Sequence, residues 1–315
     1  MKNVLRHICF AGVLTGSIAC TQEQIIETNG CGAITFDYAF VDNTTRANDP
    51  STTTDDLTGF DVWGFVKESN GTVFTDKDVV LDGTGWAYEG TQYWAPKQPY
   101  YFSALSPMNS ANVTETLATG EDAKLGLGTV TFENIDGTED LLYARYHVVS
   151  KDLNMQNDPV SFQFQHLLAK VKFTFNNSFT TDNLYAEVKN IRMSAPKKAS
   201  INLAQSDYSK GWIPEEGEEV VLNFGNTEKI ASSASGEAED RRLTIPTGPD
   251  YLYDISFDIV IYASDLVIYE TSKTSAVTGL ELEMGKAYNF TTDINPTNID
   301  LALADIDVVE IPDID

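Results

Sequence analysis

Cysteine, histidine and basic residues are scarce in this chain, and each scarcity removes a class of function. Three of the 315 residues are cysteine and three are histidine. Cys9 and Cys20 fall near the start, which leaves Cys31 without a partner in the rest of the chain. No disulfide framework can form there, so packing has to hold the fold. His7 also lies near the start. Neither His147 nor His166 has a second His or Cys beside it to build a zinc set. His166 keeps the apolar phase of Phe164 and Leu168, which points to a packed, hydrogen-bonded imidazole. Lys and Arg number 21 against 47 Asp and Glu, a net charge of −26. Such a surface repels phosphate backbones and anionic headgroups, excludes nucleic acid as a partner, and favours solubility outside the cell. The acidic clusters Asp55-Asp56 and Glu215-Glu216-Gly217-Glu218-Glu219 lack the spacing of a calcium loop and read as solvated charge. No nucleophile elbow, phosphate-binding glycine loop or metalloprotease helix motif occurs, so the chain reads as no enzyme and calls for no cofactor.

Long apolar runs are also missing, with one exception. Ile8–Ala19 follows the basic segment Met1–His7 and is too short to span a bilayer. That layout is a secretory signal. It ends in Ser17-Ile18-Ala19-Cys20, which resembles the bacterial lipobox. The resemblance implies a lipoprotein signal peptide over 1–19, lipidation of Cys20, and a lipid anchor in the outer membrane.

Helical periodicity is nearly absent. Short alternating segments separated by Gly, Asn, Asp and Pro turns predict an all-β protein of two tandem antiparallel β-sandwich domains. The expected division is 20–156 and 157–315, with the polar stretch Lys151–Pro159 at the boundary. Ile34, Phe36, Tyr38 and Phe40 hold the even positions, alternating with Thr35 and Asp37, and predict a first strand. The polar segment 42–56, which contains Arg46 and Ala47, predicts an exposed loop open to proteases. Val160–Phe175 holds two alternations out of phase. Val160, Phe162, Phe164, His166 and Leu168 are even; Ala169, Val171, Phe173 and Phe175 are odd. A strand has a side-chain period of two, so a bulge or corner near Leu167-Leu168 is required. Near the end, Leu301 and Leu303 in one phase and Ile306 and Val308 in the other predict a donor or edge strand over 299–311.

Several segments together resemble the fimbrillin-type family of anaerobic Gram-negative bacteria. They are Ile34-Thr35-Phe36 with Thr45-Arg46-Ala47, Phe60-Asp61-Val62-Trp63-Gly64-Phe65, and Trp86-Ala87-Tyr88 with Tyr93-Trp94. Tyr101–Pro107, Phe164–Val171 and Gly285-Lys286-Ala287-Tyr288 continue the series. The resemblance implies two transthyretin-like domains and export as a lipoprotein. It also implies fimbrium or pilus assembly with other subunits or further copies of the chain. In several family members an arginine-specific protease removes the first strand, and a strand from another subunit fills the groove. Carried to this sequence, the cut follows Arg46 and leaves Ala47 at the new N-terminus. A second reading is a surface lipoprotein that binds a host protein or a glycan, with Trp86, Tyr88 and Trp94 as stacking faces. Their alternation suits core packing equally well.

Overall fold

The computed structural model describes residues 31–37, 39–41, 51–66, 71–83, 85–119, 127–209, 211–295 and 307–311, the last stretch by its backbone alone. Among these residues the fold is all β, with no helix.

Four sheets account for the strands. The largest has seven, in the order β1 (Phe40–Val41), β9 (Gln163–His166), β8 (Leu142–Val149), β5 (Pro99–Ser106), β2 (Gly59–Val66), β3 (Gly71–Leu81), β4 (Trp86–Ala87). A four-stranded sheet runs β13 (Ile213–Pro214), β12 (Lys198–Asn202), β7 (Leu127–Glu133), β6 (Val113–Leu117). The third sheet is β16 (Ala234–Glu237), β10 (Ala169–Asn177), β20 (Ala287–Ile294), β21 (Asp307–Ile311), with β17 (Arg242–Thr244) also on β10. The fourth is β14 (Glu219–Asn223), β11 (Leu184–Pro196), β18 (Tyr253–Ala263), β19 (Leu266–Val277), with β15 (Ile230–Ala231) on β11.

Three apolar cores follow from the faces of these sheets. Strand β2 is buried on both sides, as its run Gly-Phe-Asp-Val-Trp-Gly-Phe-Val suggests. Its even residues Phe60, Val62 and Val66 enter one core, and Trp63 enters another. The Trp63 core is shared with Val130 and Phe132 of β7 and Ala199 and Ile201 of β12, so the seven- and four-stranded sheets pack face to face. The remaining two sheets enclose the third core, with Phe173 and Phe290 on one side and Val188 and Phe257 on the other.

Val160–Phe175 contributes to all three cores. Val160, Phe162 and Phe164 fill the first, Leu167 and Leu168 the second, and Ala169, Val171, Phe173 and Phe175 the third. The change of phase falls where β9 leaves the seven-stranded sheet and β10 starts the next. Leu167 N donates to Leu141 O at 2.8 Å, and Leu167 O accepts from Trp212 Nε1 at 2.8 Å, fixing the corner from both sides.

Two features differ from the expected purely antiparallel tandem. Strands β10 and β20 pair in parallel over eight residue pairs, and β1 and β9 pair in parallel as well. Hydrogen bonding also crosses residue 157: β9 bonds to β8, and β12 bonds to β7. The polar stretch 151–159 therefore separates strands in sequence without separating sheets. Ser150 N bonds to Gln98 O and Lys97 N to Lys151 O, which ties the start of that stretch to the residues just before β5.

Candidate assembly site

The segment before the first long strand closes a seam. At one edge of the seven-stranded sheet lies β4, and at the other lie β1 and β9. Phe36 bridges both edges, antiparallel to Trp86 and parallel to Val160. Along one flank, Ile34 N donates to Gln92 O at 2.8 Å and Trp94 N donates to Gly32 O at 3.2 Å. Along the other, Val160 N donates to Thr35 O (2.8 Å), Asp37 N to Val160 O (3.0 Å) and Phe40 N to Phe162 O (3.1 Å). Residues 31–37 and 39–41 thus act as a stave between two strand edges that would otherwise be open.

The side chains of this stave are core residues. Ile34 is fully buried, and Phe36 lies among four rings at centroid distances of 5.7–6.0 Å: Phe60, Phe74, Tyr88 and Phe162. The expected even phase does not persist to Phe40. Ala39 and Val41 are buried while Phe40 is exposed, so the facing side changes between Phe36 and Ala39. The segment is a set of bridges and the two-residue β1 rather than one continuous strand. A shift of one residue in such a segment reverses which side chains reach the core. Cys31 at its start is buried and unpaired with another cysteine, with Sγ 3.8 Å from Asp152 O.

The aromatic residues proposed as sugar-stacking faces serve this same core. Trp94 is buried and packs edge-on against Tyr100 at 4.7 Å. Trp86 and Tyr88 are half-buried, with Trp86 5.0 Å from Phe60 and Tyr88 5.0 Å from Phe74. The Tyr88 hydroxyl donates to Ile34 O at 2.8 Å and accepts from Gln92 N at 3.0 Å. Burial, partly offset by the Gln92 N–H, raises its pKa. The three rings thus line the seam rather than form an open platform.

Other residues singled out from sequence lie elsewhere. Cys20, Tyr38, Arg46, Ala47, Leu301, Leu303 and Ile306 fall outside the described residues. Val308 belongs to β21, which pairs antiparallel with β20, Val308 opposite Phe290. The C-terminal strand is therefore remote in topology from the N-terminal seam, on the edge of a different sheet. His166 is buried, with Nδ1 2.7 Å from Asp140 Oδ2, and the same carboxylate oxygen accepts from Thr52 N at 2.7 Å. That arrangement fastens residue 52 to the junction between β9 and β10. His147 stacks on Tyr101 at 4.3 Å.

Comparison with known proteins agrees with the sequence resemblance. The fimbrillin-like family profile matches residues 45–308, most of the chain. The chain belongs to the fimbrillin-like family. Among solved structures, this fimbrillin-like chain is similar to a candidate cell adhesion protein of Bacteroides uniformis, at 16% identity and a TM-score of 0.48 over 89% of this chain and 96% of the other. It is also similar to a candidate adhesin of Bacteroides thetaiotaomicron, at 11% identity and a TM-score of 0.43 over 85% and 93% of the two chains. A candidate cell adhesion protein of Parabacteroides distasonis gives 9% identity and a TM-score of 0.47 over 83% and 91%. No curated protein matches this chain. Family membership supports a fimbrial or adhesion role.

Proposed function

We propose that the protein is a structural subunit or accessory component of surface fimbriae, exported as a lipoprotein on Cys20 and assembled by strand exchange after cleavage following Arg46. Its partners are other fimbrial subunits or further copies of itself, and the assembly supports adhesion. In this reading the sheets group as two tandem transthyretin-like sandwiches. The N-terminal one accepts a strand, and the segment 299–311 is the candidate donor.

The observation that carries the reading is the seam filled by residues 31–41. Losing this stave would leave Val160 N, Val160 O, Phe162 O, Gln92 O and Trp94 N without partners. It would also empty the positions of Ile34 and Phe36 beside Phe60, Phe74 and Phe162. Unpaired strand edges and an apolar slot are satisfied together by one extended segment, the physics of β-augmentation. Arg46 follows the last buried residue of the stave, Val41, by five positions, so cleavage there would cut the stave from the rest of the chain. The family match, which begins at residue 45, does not include the stave.

Mass analysis of the protein taken from the cell surface tests the proposal. An N-terminus at Ala47 is the expected result for assembled material. Intact peptides spanning Thr21–Ala47 on assembled protein would overturn it.

A further inference from the structure

The stave is bonded on two flanks over its first part and differently at its end. Up to Phe36 it has Gln92, Trp94 and Trp86 along one side and Val160 along the other. Further on, β1 runs beside β9, with Phe40 opposite Gln163 and Val41 opposite Phe164. Phe40 N donates to Phe162 O at 3.1 Å, so the backbone of Phe40 faces β9 and that of Val41, one residue later, faces away. A side chain meets it there. Val41 N donates to Thr54 Oγ1 at 2.9 Å, and Thr54 Oγ1 donates to Val41 O at 3.2 Å. One hydroxyl therefore satisfies both backbone groups of Val41, as a neighbouring strand would.

Thr54 is placed by bonds that do not involve the stave. Asp56 N and Leu57 N both donate to Thr53 O at 3.1 Å, which closes a turn around Thr54. Thr53 Oγ1 accepts from Asp56 N at 3.2 Å, while Asp56 Oδ2 accepts from Thr53 N at 3.2 Å and from Thr53 Oγ1 at 2.6 Å. This reciprocal pair has the form of a capping box. On one side of the turn, Thr52 N is held by Asp140 Oδ2 and Ser51 is buried; on the other, Leu57 is buried. Thr54 thus belongs to the part of the chain that stays when the stave leaves.

The two ends of the stave differ in what holds them. The first part carries Ile34 and Phe36, with four rings around Phe36 and hydrogen bonds to both flanks. The last part carries Ala39 and Val41 in the core, while the Phe40 ring is exposed and adds little burial. Opening starts where few apolar contacts and few bonds have to break together, which is the Val41 end. The hydroxyl of Thr54 is what closes that end on the side away from β9.

We propose that Thr54 is the catch of the stave, and that the same hydroxyl is the first backbone-binding point for a strand that takes the stave's place. The catch is a property of the uncut chain; the second role rests on the strand-exchange reading. The chemistry restricts the incoming segment. Thr54 bonds to a backbone N–H and C=O, so it accepts any residue except proline, which has no N–H to give. The buried position of Val41 beside Ile34 and Phe36 asks for an apolar side chain at that same place. The replacing strand is therefore an extended segment with an apolar residue other than proline opposite Thr54.

Hydrogen exchange read by mass spectrometry on the full, uncut chain tests the catch. Thr54→Val keeps the side-chain shape and removes the hydroxyl, and should speed exchange at Phe40 and Val41 about tenfold. The Phe40 amide bonds to Phe162 and not to Thr54, so its rise reports opening of the end rather than loss of one bond. Labelling of the Cys31 thiol, buried at the other end of the stave, should keep its wild-type rate. Thr54→Ser, which retains the hydroxyl, should behave as wild type. Unchanged exchange in Thr54→Val would overturn the catch, and so would an equal rise at Cys31, which would mean general loosening. For the second role, chain cut after Arg46 by an arginine-specific protease is offered a fluorescent synthetic peptide of residues 31–45. The peptide should leave Thr54→Val about tenfold faster than wild type, and its Val41→Pro form should not bind. Equal release from both proteins would overturn that role. Failure of a chain that has shed its stave to take up the peptide would overturn strand exchange itself, whereas the exchange result on uncut chain decides the catch independently.

Discussion

Replacing Asp61 by Asn isolates one carboxyl whose titration should be visible in the stability of the whole protein. Burial is the main cause that lifts its pKa from 3.8 to about 6, and the neighbouring carboxylates Asp76, Asp78 and Glu115 add to it. The rise is roughly two units, and one unit corresponds to ~1.36 kcal/mol, so the folded state carries a penalty of about 3 kcal/mol when Asp61 is ionised. The sign is fixed by which state holds the proton more tightly. Here the folded state does, so the contribution to stability is fully present below the unfolded pKa and is lost as pH rises through about 6. Asn keeps an oxygen for the Asn109 N–H and carries no charge. Urea unfolding of wild type and Asp61→Asn, from about pH 4 to about pH 8, reads the effect directly. Carboxylates that do not interact with Asp61 are common to both proteins and drop out of the difference. Relative to the variant, wild type should lose about 2.5 kcal/mol across that window, the remainder being lost below pH 4. A difference that stays constant within about 0.5 kcal/mol would show that Asp61 titrates as a solvated carboxyl, and the argument from its burial would fail.

Two further substitutions test the packing on the other face of the same sheet. Phe36→Ala removes a ring that touches four others and should cost about 3–5 kcal/mol in denaturant unfolding. A cost below about 1 kcal/mol would mean that the stave is docked loosely and is no part of the core. Gly64→Ala would bring a Cβ to 2.9 Å from the Phe74 ring and 3.0 Å from the Phe102 ring, both buried. Something must shift to admit it, so overpacking of about 1–3 kcal/mol is expected by the same measurement, and a neutral result would show a looser core.

What the sequence disclosed, and what it concealed, follows from how far apart the interacting residues lie. The phase conflict in Val160–Phe175 was legible because alternation is a local property, and the corner falls at Leu167-Leu168. The parallel pairing of β10 with β20 was not legible, since no local pattern distinguishes a parallel neighbour from an antiparallel one at this separation. Nor was the pairing of β12 with β7, which carries a strand from the second half into a sheet of the first. Phe40 departs from the even phase because its segment is bridged at isolated points and changes face. The aromatic residues at 86, 88 and 94 were ambiguous in sequence, because a ring lining a core and a ring stacking on a sugar alternate in the same way. The cavity beside Asp61, lined also by Asp76 and Glu115, left one usable sign, an acid inside an otherwise apolar run. Its other walls are invisible locally, because a bulge reverses the face of Asp76.

The two faces of the seven-stranded sheet answer different demands, and β2 is where they meet. Towards the stave, Phe60, Val62 and Val66 offer a dry apolar surface that any suitably alternating segment could cover. Towards the four-stranded sheet, Trp63 anchors a second core and Asp61 sits at its polar margin. A subunit that exchanges the segment on one face has to keep its shape while that face is open. The second core, with the corner at Leu167-Leu168 and the His166–Asp140 pair beside it, does not depend on residues 31–41. Exchange of the stave and persistence of the fold are therefore compatible in this architecture. The sheet that would be opened is held from behind by contacts that the missing segment never makes.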